Sequence, residues 1–490
     1  MWTRFKGGAV LGNRHAARVN AGNGSGRARQ ACGSAGTGQF LRRMRGLFLI
    51  LSGLLLTGAV RAGEAAEAIF VVTGDQHSAY ARAAQFVARV DRVRAENPGV
   101  PVAVLLNGDS FELGNGIALR SGGEIEFAMF AALARRGPTV LNLGNHEPEF
   151  YDPATTVQRI AATGVTVIGN LAHATSGKLF APASTRLRLG REEIVIAGLT
   201  IDVLAQYRAA VRRLLDLTNP EVWAERNFPT LLASAPVAIV MSHAGLRHDR
   251  EIFRFVPDGT LYLGAHDHTR YVHRLGRTVY VQSGPWNSHV SIVRLRREAH
   301  GVAWSVEQQP LRDTDPADPE LADVVARVTQ QQRTPEDAAH VGRLAHALPR
   351  DEAAKFVVEA LRAAADVDAA FVGNTTFGDG LPAGEISRSA LDACVRFDGT
   401  LFVAEVTGAQ LQAWLAAANQ NETTPFEARR GEFLFAASRL NEILPQQRYR
   451  IATTDWGARN RLRYFGSAEL AFAERPELRV KTIVAEALSR

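Results

Sequence analysis

Cysteine is almost absent from this chain, with two in 490 residues. Cys32 falls in an amino-terminal stretch expected to be removed, so the remaining chain keeps Cys394 alone and an internal disulfide is excluded. Cys394 follows Ala393 in a helix-like stretch with no accompanying His or Asn pattern, which predicts a small core residue rather than a nucleophile. Long apolar runs are absent beyond residue 62, which excludes a bundle of membrane helices there. Negative charge is absent from residues 1–62, which hold ten of the 56 Lys and Arg and no Asp or Glu. The remaining 46 basic residues face 50 acidic ones, so the formal charge of +6 belongs to that stretch and the rest carries −4. The basic total is therefore no argument for nucleic-acid binding.

What residues 1–62 do contain reads as a leader. Leu41-Arg42-Arg43-Met44-Arg45 is a positive n-region, Gly46 to Val60 is apolar, and Val60-Arg61-Ala62 offers small residues before a cut. The expectation is an exported protein, periplasmic or extracellular, whose mature chain begins near Gly63. Residues 1–43 are rich in Gly, Arg and Ala without apolar period, and Met44 is the expected start. The length predicts two or three domains.

Beyond the leader, apolar strands alternate with helices. Ala68 to Thr73 is a buried strand, followed by a helix over about 79–96 that Asn97-Pro98-Gly99 ends. Pro101 to Leu106 and Thr139 to Leu143 are further strands, with a helix over 123–136 between them. This alternation predicts a layered α/β fold. From Val165 the runs are short and follow one another quickly: Val165 to Ile168, Thr185 to Leu189 and Glu193 to Leu199, predicting a second sheet packed on the first. Strands at 236–241, 260–263, 278–282 and 289–295 complete a domain over 66–300. Residues 301–345 read as a linker interrupted by a short helix, and 346–490 as a smaller α/β domain.

The strand ends carry polar residues that would be costly to bury unpaired. They are Asp75 and His77, Asp109, Asn145 and His146, His243, then His266 and His268. Carboxylate, imidazole and amide oxygen are ligands of divalent metals such as Mn, Zn or Fe. Asp75-x-His77 and His266-x-His268 would each present two side chains on one face of an extended segment. Seven candidate ligands, Asp75, His77, Asp109, Asn145, His243, His266 and His268, exceed one tetrahedral shell. They suit two ions, with Asp109 bridging through its two oxygens.

These motifs, with Gly144-Asn145-His146-Glu147 and Gly264-x-His266-x-His268, resemble the metallophosphoesterase (calcineurin-like) superfamily. Asn374, Leu381-Pro382-Ala383-Gly384-Glu385-Ile386, Phe397 and Val406-Thr407-Gly408-Ala409-Gln410-Leu411 resemble the C-terminal domain of the 5'-nucleotidase family. The resemblance implies a four-layer α/β/β/α catalytic sandwich and a substrate domain. It implies two divalent metals, one held by Asp75, His77, Asp109 and His268, the other by Asp109, Asn145, His243 and His266. It further implies attack on a phosphate ester by a metal-bound hydroxide, with His146 stabilising the transition state or protonating the leaving oxygen. Glu149 stands where the family has the Asp that orients this histidine, Asp152 is the other candidate, and Glu147 reads as a supporting residue.

The second domain departs from its family. No Arg follows Asn374 in Asn374-Thr375-Thr376-Phe377-Gly378-Asp379-Gly380, and Asn460-Arg461-Leu462 replaces the usual Gly-Gly-Asp. Phe397 and Trp456 would supply the aromatic pair that sandwiches a nucleotide base, with Asn374 as a third substrate contact. The expected activity is that of an exported two-metal phosphoesterase on a small, nucleotide-like phosphorylated substrate. A hydrolase of the same architecture acting on a sugar phosphate or thiosulfonate, and a non-catalytic periplasmic binding protein, are the alternatives.

Overall fold

The computed structural model describes residues 66–233 and 235–490. The leader, the start at Met44 and the cut near Gly63 lie outside them. Among the described residues no helix is long and apolar enough to cross a membrane.

Strand alternation builds the first half. In the strand Ala68–Thr73, Ala68, Phe70 and Val72 point into one apolar cluster while Ile69 and Val71 point into another. Val102–Asn107 divides in the same way, Ala103 and Leu105 against Val104 and Leu106. Both faces of these strands are buried, which is why they read as unbroken apolar runs. They lie in a six-stranded sheet ordered 301–310, 289–298, 68–73, 102–107, 139–142, 166–168. A second six-stranded sheet is ordered 270–275, 278–283, 261–264, 237–243, 192–200, 184–189. Ile194 and Ile196 meet Phe70 and Leu105 in the core between the sheets. Helices Tyr80–Glu96 and Glu124–Arg136 cover the outer face of the first sheet, and Pro220–Leu232 with Leu246–Ile252 that of the second. The architecture is the expected α/β/β/α sandwich.

Three segments differ from the sequence reading: His340–Leu344, expected as linker, is a strand paired with Gly384–Ser387, and the other two belong to the first sheet. Thr166–Ile168 is not in the second sheet; it extends the first, parallel to Thr139–Asn142. The crossover is the helix Pro153–Ala162, whose start is an Asp152 cap followed by proline. Gly301–Pro310, expected as linker, is an edge strand pairing with His289–Glu298 across the Ala299-His300 turn. Its Val302 and Trp304 join the core between the sheets, an alternation visible in Val302-Ala303-Trp304. The helix Pro319–Gln332 then buries Leu321 against the first helical layer.

The second half has a five-stranded sheet ordered 434–438, 369–373, 448–454, 400–407, 473–479. Arg350–Ala364 and Val480–Leu488 pack on one face and Gly408–Ala417 on the other. The Thr407-Gly408-Ala409-Gln410 stretch is a capping box: Thr407 and Gln410 satisfy each other's backbone N–H groups. Cys394 ends the helix Arg388–Cys394 with no exposed surface, and burial pushes its thiol up to about 12. It is the small core residue expected.

Candidate metal centre and active site

All seven expected ligands converge at the carboxyl ends of the strands, and all are buried. Asp75, His77 and His268 offer one cluster of donor atoms, and Asp109, His243 and His266 a second. Asn145 Oδ1 joins the second, 3.1 Å from His266 Nδ1. The convergence is not made by strand alternation, as the x-spaced pairs suggested. Asp75, His77, Asp109, His266 and His268 all have positive φ, between 46° and 79°. The left-handed region is uncommon for residues with a Cβ, at roughly 1–3 kcal/mol each when the surroundings impose it. Here they do: Asp75, His77 and Ser78 donate N–H to the carbonyls of Gly108, Asp109 and Ser110, so the two loops stay paired beyond their strands. The Asp75 carboxylate accepts the His266 N–H. Gly144 is required by contact, because a β-carbon there would strike Asp109.

The expected bridge is also refined. Asp109 Oδ1 accepts the His146 N–H at 2.8 Å, so it is engaged. Asp109 Oδ2 faces both clusters, 3.0 Å from His243 Nε2 and 3.8 Å from His77 Nε2. Oδ2 is therefore the oxygen placed between the two clusters. Glu147 holds this loop by accepting the N–H groups of Asp109, Ser110 and Gly144, the supporting role read from the sequence.

The donor set fits divalent cations on observations of this structure. His243 Nδ1 faces the Asn107 carbonyl at 2.7 Å, which fixes the tautomer and leaves Nε2 free toward Asp109. Nε2 atoms of His77 and His268 stand 2.9 Å apart, a distance that suits two lone pairs sharing one electrophile. Burial, together with Arg396, lowers His77 to about 3, and a neutral imidazole is what coordination requires. Nε2 of His243 is fully buried and, among the described residues, faces only the carboxylates of Asp109 and Asp75, at 3.0 and 3.7 Å, a donor and acceptor set that a cation would join.

His146 lies beside the clusters. Its Nδ1 is 2.6 Å from Glu149 Oε1, while Asp152 is occupied in capping its helix. Burial opposes charge on His146, but Glu149 and Asp109 outweigh it and push the imidazole up to about 9.

The second half of the chain contributes more than the sequence suggested, through different residues. Arg396 reaches across to Glu112, and its Nη2 is 3.3 Å from His77 Nδ1 and 3.4 Å from His146 Nε2. Glu432 stands 3.4 Å from His266 Nε2, held by Arg463 at 2.5 Å. Trp286, from the first half, stacks on His77 with centroids 4.4 Å apart. None of these residues was singled out from sequence; the only available signal was a lone cation in the apolar stretch Cys394-Val395-Arg396-Phe397. Asn374 is corrected from substrate contact to strut. It is fully buried, donates to the Asp267 carbonyl at 2.7 Å and accepts from the Phe433 N–H. Phe397 is 53% exposed, Trp456 packs against the second domain's own core, and no ring contact joins them among the described residues. A cleft of about 390 Å³ opens instead beside His77, Glu112, Trp286 and Arg396, extending to Asn115 and Ile117.

Comparison with known proteins agrees with this geometry. Residues 69–270 match the calcineurin-like phosphoesterase family and residues 337–437 the 5'-nucleotidase C-terminal domain. Among solved structures, a 5'-nucleotidase precursor from Thermus thermophilus is similar over 86% of this chain and 96% of its own, at 17% identity and TM-score 0.60. The sulfate thiohydrolase SoxB of Thermus thermophilus is similar over 85% of this chain and 80% of its own, at 18% identity and TM-score 0.57. A 5'-nucleotidase from Candida albicans is similar over 86% and 98%, at 13% identity and TM-score 0.57. No curated protein sequence matches. The chain thus combines a calcineurin-like metallophosphoesterase domain with a 5'-nucleotidase C-terminal domain, the two-domain arrangement of the 5'-nucleotidases it resembles. It is a metal-dependent phosphoesterase.

Proposed function

We propose that the protein is an exported phosphoesterase that holds two divalent cations and hydrolyses a small nucleotide-like phosphate ester. The observation that carries this reading is the pair of neighbouring buried donor clusters, with Asp109 Oδ2 of the second facing His77 of the first at 3.8 Å. Asp75, His77, Asp109 and His268 would hold one ion, and Asp109, Asn145, His243 and His266 the other. Such a pair supplies Lewis acidity toward a phosphate ester and a nucleophile at neutral pH.

The chain's own residues supply the rest. His146, held at Nδ1 by Glu149, presents its Nε2–H as a donor to a phosphoryl or leaving oxygen. Arg396 places a fixed positive charge beside that nitrogen, favouring an anionic ester. His146 is half-buried among buried neighbours, where a positive charge acts more strongly on an anionic ester than it would in water. The cleft beside Trp286 has room for the organic part of the substrate, and Phe397 is the aromatic exposed for stacking. Mn, Zn and Fe all suit the donors.

The test is a panel of nucleotides, cyclic nucleotides, sugar phosphates, thiosulfonates and p-nitrophenyl esters with metal-reconstituted protein. Nucleotides should give the highest kcat/KM. Turnover of sugar phosphates or thiosulfonates alone would replace the substrate class. Binding with no turnover of any ester would favour the non-catalytic reading. Export is tested by N-terminal sequencing of the secreted form, expected to begin near Gly63.

A further inference from the structure

We infer that the second domain completes the metal centre, with Glu432 as the positioning carboxylate of the ligand His266. The inference rests on the two-cation reading above. His266 uses its two ring nitrogens toward different partners. Nδ1 faces Asn145 Oδ1 at 3.1 Å, on the side of the second donor cluster. An imidazole that coordinates through Nδ1 carries its proton on Nε2. Nε2 is buried and faces Glu432 Oε1 at 3.4 Å, with no other polar partner among the described residues. A carboxylate receiving the outer N–H of a ligand histidine fixes the ring and raises its basicity.

Glu432 is built to stay there. Its side chain is 3% exposed. Arg463 holds Oε2 at 2.5 Å and Gln206 Nε2 donates to Oε1 at 3.2 Å. The approach of its loop to the first domain is tight: a β-carbon on Gly431 would collide with the Asp267 carboxylate, next in sequence to His266. Asn374 ties the same strand end by its bond to the Asp267 carbonyl. Backbone contact at Asp267 and side-chain contact at His266 therefore belong to one docking arrangement. Its consequence is specific to one cation site, because His266 belongs to the second cluster and not to the first.

Titration of the full metal-free protein with Mn²⁺ tests this. Wild type should bind two ions. Glu432→Gln should weaken one of them by roughly 10–100-fold and leave the other at its wild-type constant. Glu432→Asp keeps the charge beside Arg463, and its loss at the same site should be smaller. If Glu432→Gln does not fold, the aspartate variant carries the test alone. Wild-type constants at both sites in folded Glu432→Gln, or in Glu432→Asp where that variant alone folds, would overturn the inference, as would equal weakening of both sites. Wild-type protein that binds fewer than two Mn²⁺ would overturn the two-cation reading itself, and this inference with it.

Discussion

In the first half of the molecule, five of the seven donors are short side chains on bent backbone, while Asn145 and His243 are not at positive φ. Asp75, His77, Asp109, His266 and His268 sit at positive φ just beyond their strands. In the second half, Arg396 and Glu432 approach the same centre from backbone without positive φ, using long side chains. The difference follows from reach. A one-methylene carboxylate or imidazole must have its Cα close to the target, so the chain bends to bring it there. An arginine or glutamate spans the domain boundary from relaxed backbone. Strain therefore concentrates where donors must be placed within tenths of an ångström, and the other side contributes charge and orientation.

The comparison breaks most visibly at Asp109, whose Oδ2 faces a histidine of each cluster. Asp109→Asn removes the charge of Oδ2 facing His77 and His243. We expect both cations to be lost and activity to fall by more than the about 10³-fold cost of losing one electrostatic donor. Elemental analysis checks it; full retention of two ions would mean that Asp109 does not hold the clusters together.

The next effect tests the domain boundary. Arg396→Met leaves Glu112, nearly fully buried, without its cation. Breaking a buried pair on one side costs about 3–5 kcal/mol. Denaturant unfolding should show that loss, and adding Glu112→Gln should recover most of it. Equal stability of Arg396→Met and wild type would mean that this pair does not knit the halves.

His146→Ala separates donor from ligand within the first half. It should retain metal and lose about 10²–10³-fold in kcat, roughly 3–4 kcal/mol. His243→Ala, removing a nitrogen 3.0 Å from Asp109 Oδ2, should lose metal as well. If both variants shed metal alike, His146 is a ligand and its separate role fails.

The same contrast in reach explains what could be read from the chain. Asp75-x-His77, Gly108-Asp109 and Gly144-Asn145-His146 are local patterns, because bent backbone needs several specified residues in a row. They revealed all seven converging donors and the sandwich that holds them. The way they converge was misread, since spacing in a sequence does not show that φ turns positive. Arg396, Glu112 and Glu432 leave no such pattern. A long side chain can act from any backbone that faces the site, and facing is a property of domain docking. Asn374 shows the converse. Its motif was legible, but its bond to the Asp267 carbonyl, from a residue 107 positions away, could not be seen.

Phe397 gives the smallest expected effect and asks whether the second half touches substrate at all. Its ring is 53% exposed, so it adds little to folding, and Phe397→Ala should change stability by no more than about 0.5 kcal/mol. An exposed ring beside Arg396 is available to an aromatic leaving group. Stacking of that kind is worth about 0.5–1.5 kcal/mol, so KM for a nucleotide should rise by up to about tenfold with kcat little changed. A sugar phosphate, which has no aromatic face, should be hydrolysed by Phe397→Ala with the KM of wild type. Unchanged KM for both substrates would remove Phe397 from the binding site and leave the cleft beside Trp286 as the place for the leaving group. A similar rise for both would assign the effect to the neighbouring Arg396, whose guanidinium lies 5.0 Å from the Phe397 ring.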